Sequence, residues 1–94
     1  MFRIYKAYSD NEHGWLRVPK KELKELGLMD RISSYSYEDK EYIYLEEDLD
    51  ADLFLNCKKE EDIEIDEDYK PVSPIRKLKH YKGGLAWVAL TIGV

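Results

Sequence analysis

The stretch Ile32–Leu55, ISSYSYEDKEYIYLEEDLDADLFL, constrains the fold more than any other part of the chain. From Ile32 to Tyr37 the residues alternate, with Ser33, Tyr35 and Tyr37 on one side and Ile32, Ser34 and Ser36 on the other. From Glu41 to Glu46 they alternate again, Tyr42 and Tyr44 against Ile43 and Leu45. Period-two alternation of aromatic and β-branched residues signals strands, and the polar Glu38–Glu41 between them signals a turn. A two- or four-residue loop sets Tyr37 opposite Tyr42 and Tyr35 opposite Tyr44, and a bulged three-residue loop breaks that match. Four tyrosines then gather on one face. Cross-strand aromatic pairs contribute roughly 0.2–1 kcal/mol each. Ordinary sheet stabilisation explains them, since tyrosine suits any strand. A binding platform explains them too, because the rings are rigid and carry hydroxyl handles.

Acid follows at once. Glu46, Glu47, Asp48, Asp50 and Asp52 precede and enter the apolar set Leu49, Leu53, Phe54 and Cys57, whose spacing predicts a second helix. Asp48 or Asp50 is the expected N-cap, and acids in the first turn suit the helix dipole. Carboxylates also hold hard cations. This run lacks the spacing of a calcium loop and its turn glycine, so no metal site is expected.

Ninety-four residues suit one domain with a modest core. The net charge of −5 hides a partition. Residues 1–45 balance. Residues 46–69 carry two basic and twelve acidic side chains, a net of −10. Residues 70–94 carry five basic and none acidic, a net of +5. An acidic surface is repelled by the phosphate backbone, so direct binding to duplex DNA is not expected; a partner with a basic surface is. The two oppositely charged segments, with an apolar C-terminal stretch, also suggest a homo-oligomer. Cys57 stands alone, on the apolar side of the second helix, and is expected to be a buried small hydrophobe in a reducing compartment. The N-terminal residues show no signal-peptide pattern, and the apolar run Gly84–Val94 is too short to span a bilayer.

In chain order, Phe2–Tyr8 reads as a strand and Trp15–Val18 as its hairpin partner. Pro19 is placed as the first residue of a helix, before KKELKELG, with Gly27 as its stop. Asp62–Asp66 alternates acid with Ile63 and Ile65, as an edge strand with a charged outer face does. Pro71 and Pro74 mark an irregular crossing, Ile75–Tyr81 is basic, and LAWVALTI after Gly83-Gly84 reads as a buried strand. The expected fold is α+β, one small domain over residues 1–94: a mixed or antiparallel sheet with two short helices packed on one face. Ile43, Leu45, Leu53, Phe54, Leu23, Leu26, Trp87 and Val88 are the expected core.

Catalytic patterns are missing. There is no glycine-rich phosphate loop, no paired CxxC and no HExxH. His13 lies in a polar turn and His80 in a basic run, where solvated loop residues are the expectation. Ser33, Ser34 and Ser36 show no base held within reach. The reading is therefore a non-enzyme without cofactor.

The segment His13–Phe54 resembles a family of small uncharacterised proteins scattered through bacterial, plasmid and phage genomes. The likeness rests on HGWL-x-VP (His13–Pro19), a leucine helix ending at Leu26-Gly27, IS-x-YSY (Ile32–Tyr37) and YLEED-x-D-x-x-x-F (Tyr44–Phe54), with a looser echo at Ile75-Arg76. The resemblance implies an accessory protein of a mobile element acting in the bacterial cytoplasm, and it transfers no catalytic residue.

Two functions of different class follow. The first is an inhibitor that docks on a basic host defence protein, such as a CRISPR effector or restriction enzyme, by mimicry of phosphate charge. Its expected contacts are Tyr35, Tyr37, Tyr42, Tyr44, Glu46, Glu47, Glu60 and Glu61. The second is a binder of a small nucleotide signal, with bases on the tyrosines and phosphates on Arg76, Lys77 and Lys79. A metal-dependent nuclease using the acid cluster is a weaker third. No membrane partner is expected.

Overall fold

A computed structural model describes residues 2–59 and 61–82. It is an α+β domain with strands β1 (Phe2–Ser9), β2 (Gly14–Pro19), β3 (Tyr37–Glu38), β4 (Tyr42–Glu46), β5 (Asp62–Tyr69) and β6 (Lys79–His80). Helices α1 (Lys20–Glu25) and α2 (Asp50–Cys57) join them. The six strands form one mixed sheet in the order β5-β1-β2-β4-β3-β6. The β1–β5 pair is parallel and every other pair antiparallel.

Residues paired across a ladder share a face. One face therefore carries Tyr5, Leu16, Val18, Ile43 and Leu45. Leu23 of α1 and Ala51 and Phe54 of α2 close over it, with Leu28, Ile32 and Tyr81. Leu26 and Leu53 are only partly buried against this core, and Trp87 and Val88 lie outside the described residues. The other face carries Trp15 and Tyr44 beneath Ile75, with Tyr8, Tyr37, Tyr42 and Leu78 around them. The residues Pro74–Lys77 form a 3-10 turn there. Both faces are thus covered: helices on one, the basic C-terminal segment on the other.

The local signals explain α1. Pro19 holds the N-cap position, with ψ of 137°, one residue earlier than its expected place inside the helix. The helix ends because Gly27 takes φ of +71°, which only glycine adopts freely. Leu28 N–H then reaches Leu23 C=O at 2.9 Å and Gly27 N–H reaches Lys24 C=O at 3.1 Å, satisfying two free carbonyls.

The central stretch departs from expectation in three ways. Ile32–Ser36 is a turn, not a strand. The hairpin pairs Tyr37 with Tyr44 rather than with Tyr42. The cause is Asp39, whose Oδ1 accepts from Glu41 N–H (3.0 Å) and Tyr42 N–H (2.8 Å). That Asx turn moves the loop tip to Lys40-Glu41 and the register by two residues, which keeps every side chain on its face. Finally, neither Asp48 nor Asp50 caps α2. The N-cap is Leu49, and Asp50 turns inward, 1% exposed.

Cys57 is exposed, against expectation. It is the last residue of α2, where the helix turns its side chain away from the stripe formed by Ala51 and Phe54. Among the described residues no helix is long and apolar enough to cross a membrane.

Candidate functional site

The aromatic face is built by register. The β2–β4 ladder sets Trp15 opposite Glu46 and Arg17 opposite Tyr44, and the short β3 and β6 add Tyr37 opposite His80. The rings then meet in series. Tyr37 stacks on His80 at 4.3 Å between centroids, Trp15 meets Tyr37 edge-on at 5.9 Å, and Tyr8 meets Tyr44 at 5.9 Å. Such offset and edge contacts suit the ring quadrupoles.

This arrangement changes the expected tyrosine platform. Tyr44 is buried, and its hydroxyl donates to Asp39 Oδ2 at 2.7 Å. Burial, then the hydrogen bond to that carboxylate, pushes the Tyr44 phenol well above its usual range. Burial opposes ionisation of Asp39, but donation from Tyr44 and two backbone N–H groups outweighs it and holds the carboxyl below its usual range. Tyr42 is half-buried under the Arg17 guanidinium, 4.4 Å from its ring centroid, and Tyr37 is half-buried as well. Only Tyr35, in the turn and 70% exposed, stands free.

Arg76 is likewise committed. Its Nε donates to Asp10 Oδ2 at 2.6 Å and a terminal nitrogen donates to Asp10 Oδ1 at 3.1 Å, a forked charge-assisted pair. The guanidinium also lies over the Trp15 ring at 5.2 Å. The hydrogen bond from Arg76, helped by the backbone N–H groups of Glu12, His13 and Ser73, holds the Asp10 carboxyl far below the usual carboxylate range. Arg76 fastens the C-terminal segment to the β1–β2 turn; it is not free for phosphate.

Two hollows lie beside each other on this side. The first, about 470 Å³, is an aromatic groove with Trp15, Tyr35, Tyr37 and His80 along it and Glu46, Asp48 and His13 around it. The second, about 580 Å³, holds Lys40, Lys77, Lys79 and Lys82 above Glu38, Asp39 and Leu78. His80 lines both. Its Nδ1 sits 2.7 Å from Ser34 C=O; a carbonyl only accepts, so Nδ1 carries the hydrogen.

The acids are not gathered in one place: Glu46 lines the aromatic groove, while Glu47 and Glu61 lie apart from it. Glu46 accepts from Asp48 N–H and Leu49 N–H, Glu47 lies 3.7 Å from His13, and Glu61 pairs with Lys58 at 3.0 Å. Glu60 lies outside the described residues. Glu47 and Asp52 reach the helix face, where they meet Glu67 around a shallow hollow of about 260 Å³ that includes Ile65. Among the described residues no three His, Cys, Asp or Glu side chains converge as metal ligands.

Of the residues singled out from the sequence, Tyr35, Tyr37 and Glu46 line the aromatic groove and Lys77 and Lys79 the lysine hollow; Trp15, Asp48, Lys40, Lys82 and the two histidines line them as well and were not among the candidates. The alternation of Trp15 and Arg17 opposite the tyrosine set was the signal for β2; the lysine hollow joins residues nearly forty positions apart and left none. No family model matches the chain, and no curated protein or solved structure does.

Proposed function

We propose that this protein is a non-enzymatic accessory protein of a mobile element that binds and inhibits a host defence protein with a basic surface, such as a CRISPR effector or restriction enzyme, in the bacterial cytoplasm. The observation that carries this reading is the outer edge of the sheet. β5 bears five carboxylates in eight residues, Asp62, Glu64, Asp66 and Asp68 on one face and Glu67 on the other. Alternate side chains of a strand stand about 6.6 Å apart, so the four carboxylates on one face of β5 form a row with one negative charge about every 6.6 Å. One strand of a DNA duplex carries a charge about every 3.4 Å of axis. A groove shaped for phosphates therefore meets a regular row of the same sign, at about half that linear density.

Two of the five carboxylates have lysine neighbours. Lys6 lies 3.6 Å from Asp66 and Lys70 lies 3.0 Å from Asp68. Both pairs are exposed and contribute little, so the row stays negative toward an approaching surface. Among the described residues nothing pairs with the outer side of β5. Its charges also discourage indiscriminate strand pairing. Ile4 and Ile65, both exposed, supply apolar contact beside the acids. The acids steer the approach and set its salt dependence.

The test uses the tagged full chain to capture partners from lysate of a bacterium that carries nuclease-based defence systems. The expected result is a nuclease whose activity falls on stoichiometric addition of the protein. Glu64→Gln with Asp66→Asn and Glu67→Gln should slow association about tenfold at low salt. Capture without loss of nuclease activity, or inhibition indifferent to those substitutions, counts against the reading.

A further inference from the structure

The side of the molecule away from β5 has the opposite character. Lys40 comes from the hairpin tip, Lys77 from the 3-10 turn, Lys79 from β6 and Lys82 from the residues after it; all four are exposed around one hollow. Like charges repel, so gathering four ammonium groups is unfavourable unless carboxylates offset them. The two carboxylates within the hollow are engaged elsewhere. Glu38 binds Lys20 Nζ at 2.8 Å and accepts from Lys82 N–H at 3.3 Å. Asp39 is held by Tyr44 and by its own turn. Among the described residues none of the four lysines forms an ion pair. In a chain of net charge −5, this is an unneutralised basic hollow.

It opens onto the aromatic groove through His80. Beside His80 that groove is lined by Tyr35, whose ring is exposed, by the edge-packed Tyr37 and Trp15, and by Glu46, Asp48 and Arg76. The combined site brings ammonium groups, aromatic rings and carboxylates together; of the charges in the groove, Arg76 is held by Asp10 and Glu46 by two backbone N–H groups, which leaves Asp48. A uniform polyanion meets repulsion from Asp48. A ligand with phosphates at one end and a flat, amino-bearing ring at the other satisfies all three parts. Each hollow is also within the size range of small-molecule sites.

We propose that this paired site binds a purine nucleoside polyphosphate, its phosphates on Lys40, Lys77, Lys79 and Lys82 and its base against Tyr35 and His80, with the amino group of the base directed to Asp48. Aromatic faces accept any base, and the larger purine gains most. Phosphate oxygens take charge-assisted hydrogen bonds from the ammonium groups. The β5 edge is not involved, so this site and the acidic docking edge stand or fall separately.

The experiment is calorimetric titration of the full chain at low salt with GTP, ATP, UTP, inorganic tripolyphosphate and a short oligothymidylate. Saturable binding of a purine triphosphate is expected, with UTP and tripolyphosphate each about tenfold weaker for want of stacking and of the amino contact. Lys77→Gln with Lys79→Gln, and separately Tyr35→Ala, should each weaken purine binding about tenfold. These side chains are exposed, so thermal unfolding of the variants should match the parent. Tripolyphosphate binding as tightly as GTP, tighter binding of the oligothymidylate, or no saturation by either purine nucleotide overturns the proposal.

Discussion

Ser36 donates its hydroxyl hydrogen to Asp50 at 2.5 Å, and both side chains are sealed from solvent. Asp50 also accepts from Ser33 twice, from its hydroxyl at 2.7 Å and its backbone N–H at 3.0 Å. Ser36 in turn accepts Glu46 N–H at 2.9 Å. One carboxylate at the first turn of α2 thus ties the Ile32–Ser36 turn to the helix and, through Ser36, to β4. Removing it leaves three buried donors without an acceptor, and each such donor costs about 1–3 kcal/mol. Asp50→Ala should therefore lower the unfolding free energy by about 3 kcal/mol in a denaturant titration. Asp52→Ala, exposed one turn position away, should change little. Equal stabilities for the two variants would deny Asp50 this role.

That contact also marks where the sequence stops being legible. Local signals carried far: alternation in β1, β2 and β4, the proline and glycine that bound α1, and the charged edge strand β5. Ile32–Ser36 alternates as well as those strands do, yet Asp50, fourteen and seventeen residues on, takes its serines into a turn. The hairpin register depended on one residue, because Asp39 places the loop tip with its own side chain. Of the four tyrosines expected on one strand face, Tyr37, Tyr42 and Tyr44 share it, and Tyr35 lies in the turn before β3. What covers that face, Ile75 and Leu78 held by the Arg76–Asp10 pair, comes from the far end of the chain and leaves no periodic trace.

Tyr44 and Tyr35 should therefore behave oppositely. Tyr44→Ala removes a buried ring and strands the Asp39 carboxylate, and large-to-small changes of an aromatic core residue cost about 3–5 kcal/mol. Tyr35 is mostly solvated, so Tyr35→Ala should lie within about 0.5 kcal/mol of the parent. Chemical denaturation of the two variants checks this, and comparable losses would return Tyr35 to the core.

Cys57 is exposed at the end of α2. A thiol reagent should modify it in the native protein at a rate near that of the denatured chain. Strong protection, relieved only by denaturant, would contradict the helix orientation.

The two charged edges predict a dependence of mass on salt. β5 and β6 close opposite ends of the sheet, so Lys77, Lys79 and Lys82 do not reach the β5 carboxylates of the same copy. A second copy can bring its basic edge to that acidic one in a head-to-tail contact. Light scattering at high protein concentration should show a mass above the monomer at low salt and a return to the monomer as salt screens the pair. A monomer throughout removes the contact.

Alkaline stability follows from the network around Glu22. Glu22 is buried beneath α1, where it accepts from the Tyr5 hydroxyl at 2.7 Å and pairs with Lys58 Nζ at 2.9 Å. Its other oxygen has no hydrogen-bond partner, although Arg3 approaches to 3.5 Å. Burial, then the bond to Glu22, pushes the Tyr5 phenol up to about 12. The Glu22 carboxylate raises the Lys58 ammonium above its usual range, and burial raises Tyr81 as Tyr44 is raised. In each case the folded state holds its proton longer than the unfolded chain. Above pH about 10 the unfolded chain binds fewer protons than the folded one, so stability must fall as pH rises. The contribution is intact below pH about 10, and Tyr5's share is gone once pH passes about 12. Urea titrations at stepped pH should show the midpoint steady near neutrality and declining from pH about 10 upward. Tyr5→Phe should soften that decline, and phenolate absorbance should show three of the eight tyrosines titrating late until the fold is lost. A midpoint that holds level across that range would mean these groups are not the ones the network protects.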